Sequence, residues 1–526
     1  MEADILKNLV KNLNRYKAHK KSKDNEIIYE TLLAHTELTN KYFFKFWQSK
    51  NSDEIFDRFC DVFWQKENID NKLKNKAKDL LKEIIMTIPI FHDIGKVNPN
   101  FQLMKLKVND FKENEAYVNT HHSFLSSMFY MDYCRKLVYD EKNEDEIVNL
   151  LAEFILYNGY IIARHHSELG SLTEFTKLIN LDDDTYFSKL KRIINNEDIY
   201  SVKIDFIKSD IEDMFRNLNK VDKDAEKVGK RSIKQGVYLS IYIRWLYSLL
   251  VASDYYATSE FMNEADFSEN TDLNDIDKWD SVYENTDLLK NIRQYQQERY
   301  PISNEELNTV TDINILRSEI FCEVEEKIKA NTDENIFYLE APTGSGKSNT
   351  AINASFKLMQ HDKRLQKIFY IYPFNTLVEQ NLETLEKVFA DNEDIKQNIA
   401  VINSITPIKV SEKDLNDNEE KDVYQKALLD RQFLNYPMIL STHVSLFNII
   451  FGNRQSDVLA FYQLANSVIV LDEIQSYKNK IWAEIICYLK ELAKMFNIKI
   501  IIMSATLPDL DILSRFQAQA VDLLEN

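Results

Sequence analysis

The six residues "FHDIGK", Phe91 to Lys96, set a histidine directly against an aspartate and follow them with glycine and lysine. Seven of the chain's 9 histidines fall before residue 170, and six of those form the series His35, His92, His121, His122, His165 and His166. Imidazole nitrogens mixed with carboxylates suit transition metals such as Mn, Fe, Co or Ni better than an all-oxygen magnesium site. With one bridging carboxylate, two such ions about 3.5 to 4 Å apart would clamp a phosphodiester while activating water. Adjacent residues on a helix diverge by about 100°, so His92 and Asp93 can both reach a metal only where their helix lies against the site. Gly95 would permit that close approach, and Lys96 could neutralise a phosphate oxygen. His19, in the basic stretch "YKAHKK", reads as a plain surface residue.

A second chemistry lies further along. After the apolar run "NIFYLE" comes "APTGSGKS", Ala341 to Ser348, and then the helical stretch "NTAINASFKLMQ". Strand, glycine loop, helix is the order a phosphate chain needs. Backbone N–H groups must converge on it, which demands small residues such as Gly344 and Gly346 within Thr343–Ser348. Lys347 would reach the β and γ phosphates and Ser348 the magnesium ion. At the end of a neighbouring apolar strand, "VIVLDEIQ" supplies Asp472 to hold magnesium and Glu473 to orient and deprotonate the attacking water. A third apolar strand closes on "MSATLP", whose Ser504 and Thr506 could couple phosphate state to movement.

The elements that must position these groups differ between the two halves. Up to about Ala265 apolar residues recur mainly at helical spacing, as in "IDFIKSDIEDMFRNL", and the half reads as all-α. Asp266 to Asp287 is acidic and rich in Asn and Ser, and residues 266–310 read as an acidic linker with connecting helices. From 311 to 526 short β-rich runs alternate with helices, the pattern of parallel βαβ units, with the charge run Ser411 to Asp422 as a solvated surface loop or helix face. A multidomain chain is what 526 residues lead one to expect. The net charge of -19 argues against coating nucleic acid through bulk positive charge, although a local basic groove is compatible with it. Four scattered cysteines without a CxxC pair argue against a zinc knuckle or a disulfide framework and point to a reducing cytoplasm. The amino terminus lacks the apolar core of a signal peptide. The apolar stretch Gly236 to Ala257 is broken by Arg244 and Asp254, so it reads as a buried helix rather than a membrane span.

The series "APTGSGKS", "YPFNTLVEQN", "LSTHVSLFN", "LDEIQ" and "MSATLP" resembles motifs I, Ia, Ib, II and III of superfamily 2 helicases. The resemblance implies a RecA-like lobe and places Pro373, Asn375, Thr376, Thr442 and His443 near a nucleic-acid strand. Gln475 stands where related families have His or Asp, so neither a DEAD-box nor a DEAH-box label is expected to fit. Such motors hold ATP between two RecA-like lobes, the second contributing arginines. As given, the sequence stops soon after motif III, so weak ATP binding and no autonomous unwinding are expected unless another segment or chain supplies a second lobe.

The order His35, His92-Asp93, His122, His165-His166 and then Asp254 in "VASDYY" resembles the HD phosphohydrolase superfamily. That resemblance implies that His35, His92, Asp93 and Asp254 bind one metal, and that Asp93 bridges to a second held by His122, His165 and His166. His122, four residues before Ser126, fits the family spacing better than His121. An HD-type metal hydrolase (1–265) joined to a helicase lobe (311–526) resembles the signature helicase-nucleases of type I CRISPR interference, supported by "HDIGKVNPNFQ" and "HHSELG". It implies a cytoplasmic antiviral-defence enzyme recruited by a crRNA-guided surveillance complex. Such an enzyme nicks single-stranded DNA and degrades it 3′ to 5′ under ATP. A nucleotide phosphohydrolase regulated by the P-loop half, and a non-catalytic adaptor, are the rival readings.

Overall fold

A computed structural model describes residues 2–65, 70–140, 142–172, 174–175, 189, 192–194, 196–200, 233–264, 272–273, 275–403, 426–474, 482–505 and 520–524. The helical reading of 204–218, the charge run at 411–422, Gln475 and Thr506 lie outside the described residues. The chain forms two compact units, Met1–Ser268 with Gly452–Tyr462, and Glu269–Phe451 with Gln463–Asn526.

The first unit is not all-α. It carries an antiparallel hairpin, β1 (Lys17–Lys23) and β2 (Glu26–Thr31). Asp24 and Asn25 both have positive φ, the backbone that lets a two-residue turn match the strands' twist. Thr31 ends β2 and caps the next helix, its hydroxyl accepting from Ala34 N at 3.1 Å, so the hairpin runs straight into α1 (Leu32–Ser49). Around α1 lie α2 (Ile88–Phe91), α3 (Ser123–Val138), α4 (Asp145–Arg164) and α5 (Ile233–Asn263). Stacked Trp47 and Trp245, 5.1 Å between ring centroids, join α1 to α5. Buried Asn158 on α4 is satisfied on both sides, donating to Tyr130 of α3 and accepting from Tyr242 of α5, each at 2.8 Å. Two helices, Asp145–Arg164 and the Lys234–Asn263 stretch, are long and apolar enough to cross a membrane, but about two-thirds of each apolar window is buried within the fold.

In the second unit the segment read as a linker contributes α6 (Ile276–Glu284) and α7 (Asp287–Glu298), followed by α8 (Ile313–Ala330). Ile276, Trp279, Tyr283, Leu289 and Ile292 of α6 and α7 are buried in that unit's core. The sheet that follows has seven strands: β3 (Ile336–Glu340), β4 (Lys367–Tyr372), β5 (Ile399–Val401), β6 (Met438–Thr442), β7 (Ser467–Asp472), β8 (Lys499–Ser504) and β9 (Val521–Asp522). They lie in the order β5-β6-β4-β7-β8-β3-β9 with every pairing parallel. The central strands are buried along nearly their whole length, which is why they read as continuous apolar runs. The crossover helices α9 (Lys347–His361), α10 (Asn375–Val388) and α11 (His443–Phe451) start where β3, β4 and β6 end, placing every loop of interest at the carboxyl edge of the sheet.

Candidate metal centre and nucleotide cleft

His92 and Asp93 sit at the break between α2 and a 3₁₀ turn, Ile94–Val97. The break, rather than one helix lying against the site, lets both side chains face one point. Gly95 makes the turn possible: its N–H donates to Ser126 Oγ at 2.9 Å, and a Cβ there would lie 2.2 Å from the carbonyl oxygen of His122. His35 comes from the first turn of α1, His122 immediately precedes α3, His165 and His166 follow α4, and Asp254 lies on α5. His121 is exposed and outside the cluster.

Asp93 divides the cluster in two. Its Oδ2 faces His35 Nε2 at 3.3 Å and His92 Nε2 at 3.4 Å, with Asp254 Oδ1 3.1 Å from His35 Nε2. Its Oδ1 faces Nε2 of His122, His165 and His166 at 3.0, 3.5 and 3.8 Å. His92 Nδ1 lies 2.7 Å from Pro89 O and His165 Nδ1 2.6 Å from Ile162 O. Those carbonyls fix the proton on Nδ1 and leave each Nε2 lone pair aimed into the cluster. Burial pushes the pKa of His122 down to about 3 and of His165 to about 4, so both rings are neutral. Burial would raise Asp93, but Lys96 and His92 more than offset it and hold the carboxyl well below the usual range. Asp93 Oδ1, Asp254 Oδ1 and His165 Nε2 are buried without a well-formed hydrogen bond. Lone pairs of nitrogen and oxygen converging unsatisfied in a buried pocket fit a divalent cation on each side of Asp93.

Lys96 is buried and its ammonium lies 2.6 Å from Asp93 Oδ2. His19 is not a plain surface residue: its ring packs edge-on against His35 with centroids 4.5 Å apart, and its Nε2 is 3.1 Å from Lys96 Nζ. Its partner Glu30 was missed altogether.

In the second unit the turn from β3 into α9 holds Thr343, Gly344, Ser345, Gly346, Lys347 and Ser348, with φ of 82° and 89° at the two glycines. All of these but Ser345 line a cleft of about 710 Å³ together with Asp472 and Glu473. Asp472 ends β7, which is one strand removed from β3 because β8 lies between them. Burial, reinforced by Glu473, raises the Asp472 carboxyl to about 6, and its Oδ1 makes no hydrogen bond, so it too suits a cation. Lys347 Nζ rests on Ala341 O at 2.5 Å, within 3.9 Å of Glu473. Arg317 of α8, whose Nε donates to Gly344 O at 2.8 Å, and Asn291 and Asn314 also line it; no motif had pointed to them. Ser504 ends β8 and its carbonyl accepts from Ala341 N at 3.1 Å. Of the strand-binding candidates, Thr376 is exposed and Asn375 partly so, whereas Pro373, Thr442 and His443 are buried. Phe374, beside them and 61% exposed, is an aromatic surface the sequence reading passed over.

Residues 323–513 match the family model described as DEAD/DEAH box helicase, so the chain contains a domain of that kind, and the departure at Gln475 does not remove it. The CRISPR-associated nuclease/helicase Cas3 of Haloferax volcanii is 25% identical over 179 residues, which are 33% of this chain and 19% of that protein. The crystal structure of T. fusca Cas3 aligns with a TM-score of 0.50 at 12% identity, covering 94% of this chain and 50% of that one. A chain of a CRISPR RNA-guided surveillance complex in a pre-nicking state aligns over 94% of this chain and 47% of that chain with a TM-score of 0.42 at 12% identity. The chain thus spans about half the length of these solved relatives. The helicase-type domain implies the use of ATP and magnesium.

Proposed function

We propose that the first unit is an HD-type metal-dependent nuclease acting on single-stranded DNA, joined to an ATP-dependent helicase motor, in the cytoplasmic degradation of invading DNA directed by a crRNA-guided complex. The observation that carries the reading is the division of Asp93, one oxygen toward His35, His92 and Asp254 and the other toward His122, His165 and His166. Two divalent transition-metal ions held there would supply Lewis-acid stabilisation of a phosphodiester and a water activated at neutral pH. The chain's own residues do the rest. His92 and His165 present neutral Nε2 atoms held in place by backbone carbonyls, and Lys96 keeps Asp93 ionised. His35, His92, Asp93 and His165 are fully buried, whereas the His166 side chain is 41% exposed, so a phosphodiester would enter from the His122 and His166 side. In the motor, Lys347 would bind the phosphates, with Asp472 and Ser348 on magnesium and Glu473 orienting water. The likeness of 179 residues of this chain to a protein named as a CRISPR-associated nuclease/helicase supports the biological setting.

The test strips the purified chain of metal and offers circular single-stranded DNA with Mn, Co, Ni, Fe or Mg restored, without ATP. Cleavage that depends on the added ion and vanishes in Asp93→Ala is expected. Cleavage retained by Asp93→Ala would overturn the assignment, and phosphate release from free nucleotides with DNA untouched would replace it by a nucleotide hydrolase.

A further inference from the structure

Among the imidazoles that face Asp93 Oδ2, His92 orients its second nitrogen with a backbone carbonyl. His35 cannot use that device, because it lies inside α1, where nearby carbonyls are engaged by the helix itself. Its Nδ1 must be met from outside. Across the hairpin His19 pairs with Glu30, immediately after a register shift between Lys17 and His19, so both side chains lie on one face of the ladder. Glu30 is 6% exposed, and its Oε2 lies 2.8 Å from His19 Nδ1 and 3.4 Å from His35 Nδ1. His35 Nδ1 is buried and makes no well-formed hydrogen bond among the described residues, and the Glu30 carboxylate at 3.4 Å is the charged group that faces it. No lysine or arginine is paired with Glu30 among them, so a buried carboxylate is kept where only imidazoles answer it.

We propose that Glu30 and His19 are positioning residues for the metal centre: Glu30 orients the His35 ring, and His19 holds the Lys96 ammonium on Asp93. The arrangement fixes tautomers at both ends. A proton on His19 Nδ1, donated to Glu30, leaves Nε2 as the acceptor for Lys96 Nζ at 3.1 Å, and the same ammonium reaches Asp93 Oδ2 at 2.6 Å. A proton on His35 Nδ1, directed at Glu30, leaves the Nε2 lone pair facing Asp254 and Asp93. One carboxylate on a hairpin therefore sets a ligand of the first ion and the countercharge of the bridging ligand.

The inference rests on the metal reading above, and the experiment separates the two. Co(II) is titrated into the metal-stripped full chain, following the visible absorption spectrum and the number and affinity of bound ions, for wild type, Glu30→Gln and His19→Ala. The near-isosteric Glu30→Gln should keep the metal-free melting temperature. It should bind the tighter-perturbed ion roughly ten- to a hundredfold more weakly, with an altered spectrum and two ions still taken up at saturation. His19→Ala should show a smaller loss, since Glu30 remains beside His35. Unchanged affinity and spectrum in Glu30→Gln, with two ions in wild type, would overturn the positioning role alone. Wild type that binds no Co(II) would overturn the metal reading and this inference with it. A third ion in wild type that is lost in His19→Ala would make His19, Glu30 and His35 a metal site of their own and likewise overturn it.

Discussion

Gly95 shows how finely single residues set the geometry around Asp93. An alanine Cβ at this position would stand 2.2 Å from the carbonyl oxygen of His122, a backbone atom that cannot swing aside as a flexible side chain would. Gly95→Ala should therefore displace either the His92-Asp93 turn or the start of α3, costing about 1 to 3 kcal/mol as an overpacked core does. The expected result is a lower metal-free melting temperature together with weaker uptake of the ion on the His122 side. A melting curve and metal titration matching wild type would contradict the tight turn. In the other unit, Lys347→Ala should abolish the rise in melting temperature on adding ATP and magnesium, and a rise of wild-type size would remove Lys347 from phosphate binding. The histidines and aspartates that cluster around Asp93 were legible because their residue types are scarce and clustered along the sequence. His19 and Glu30 were not, because their part depends on a cross-strand pairing that no local spacing announces. The inward turn of Lys96 was hidden for the same reason: a sequence gives the cation but not the direction of its side chain.

At the scale of elements, the parallel strands were plain in the sequence, since strands buried on both faces are unbroken apolar runs. The hairpin was not: "KAHKKSK" alternates lysines with almost nothing apolar, and only the Asp24-Asn25 turn marks it. The acidic composition of 266–310 likewise concealed the apolar face of α6 and α7. These helices are fastened to the P-loop helix by charge as well as by packing. Arg293 of α7 donates to Glu325 of α8 at 2.7 Å, and Glu325 also accepts from Lys329 at 2.5 Å and from Asn353 of α9 at 2.7 Å. Burial would raise the Glu325 carboxyl, but those donors more than offset it and hold it at about 2. Because the folded value lies below the unfolded one of about 4.3, the stabilisation is fully present above that pH and is lost as pH falls toward 2. Glu325→Gln should thus destabilise the second unit by on the order of 1 to 3 kcal/mol at neutral pH. The difference should shrink progressively below about pH 4.5 as the wild-type carboxyl protonates. Urea melts at several pH values would show it, and a difference independent of pH would disprove the ionic account.

The whole molecule is divided in a way the linear order of motifs does not suggest. The segment Gly452–Tyr462 lies in sequence between α11 and β7 of the sheet, yet belongs to the unit that carries the histidine cluster. Gln455 Nε2 donates to the carbonyl of His165 at 2.8 Å, Asn453 O accepts from Leu169 N at 2.8 Å, and Arg244 donates to Gly452 O at 2.5 Å. Tyr462 packs its ring on Phe46 at 5.4 Å and donates its N–H to Ser248 Oγ at 3.1 Å. Val458, Leu459, Phe461 and Tyr462 are all buried. At about 1.5 to 3 kcal/mol for each large apolar side chain, the segment's contribution is comparable with the whole stability of an ordinary domain, about 5 to 15 kcal/mol. A fragment ending at Ser268 should therefore contain every metal ligand and still be badly destabilised, with its His165–Leu169 turn unsupported. We expect it to melt at least several degrees lower than the same unit in the full chain and to bind Co(II) more weakly. Adding a synthetic Gly452–Tyr462 peptide in excess should restore part of both, through mass action on the folded form. Equal melting temperature and metal affinity without the peptide would mean that the first unit folds without this segment, and that the bond from Gln455 to His165 is incidental to the metal centre.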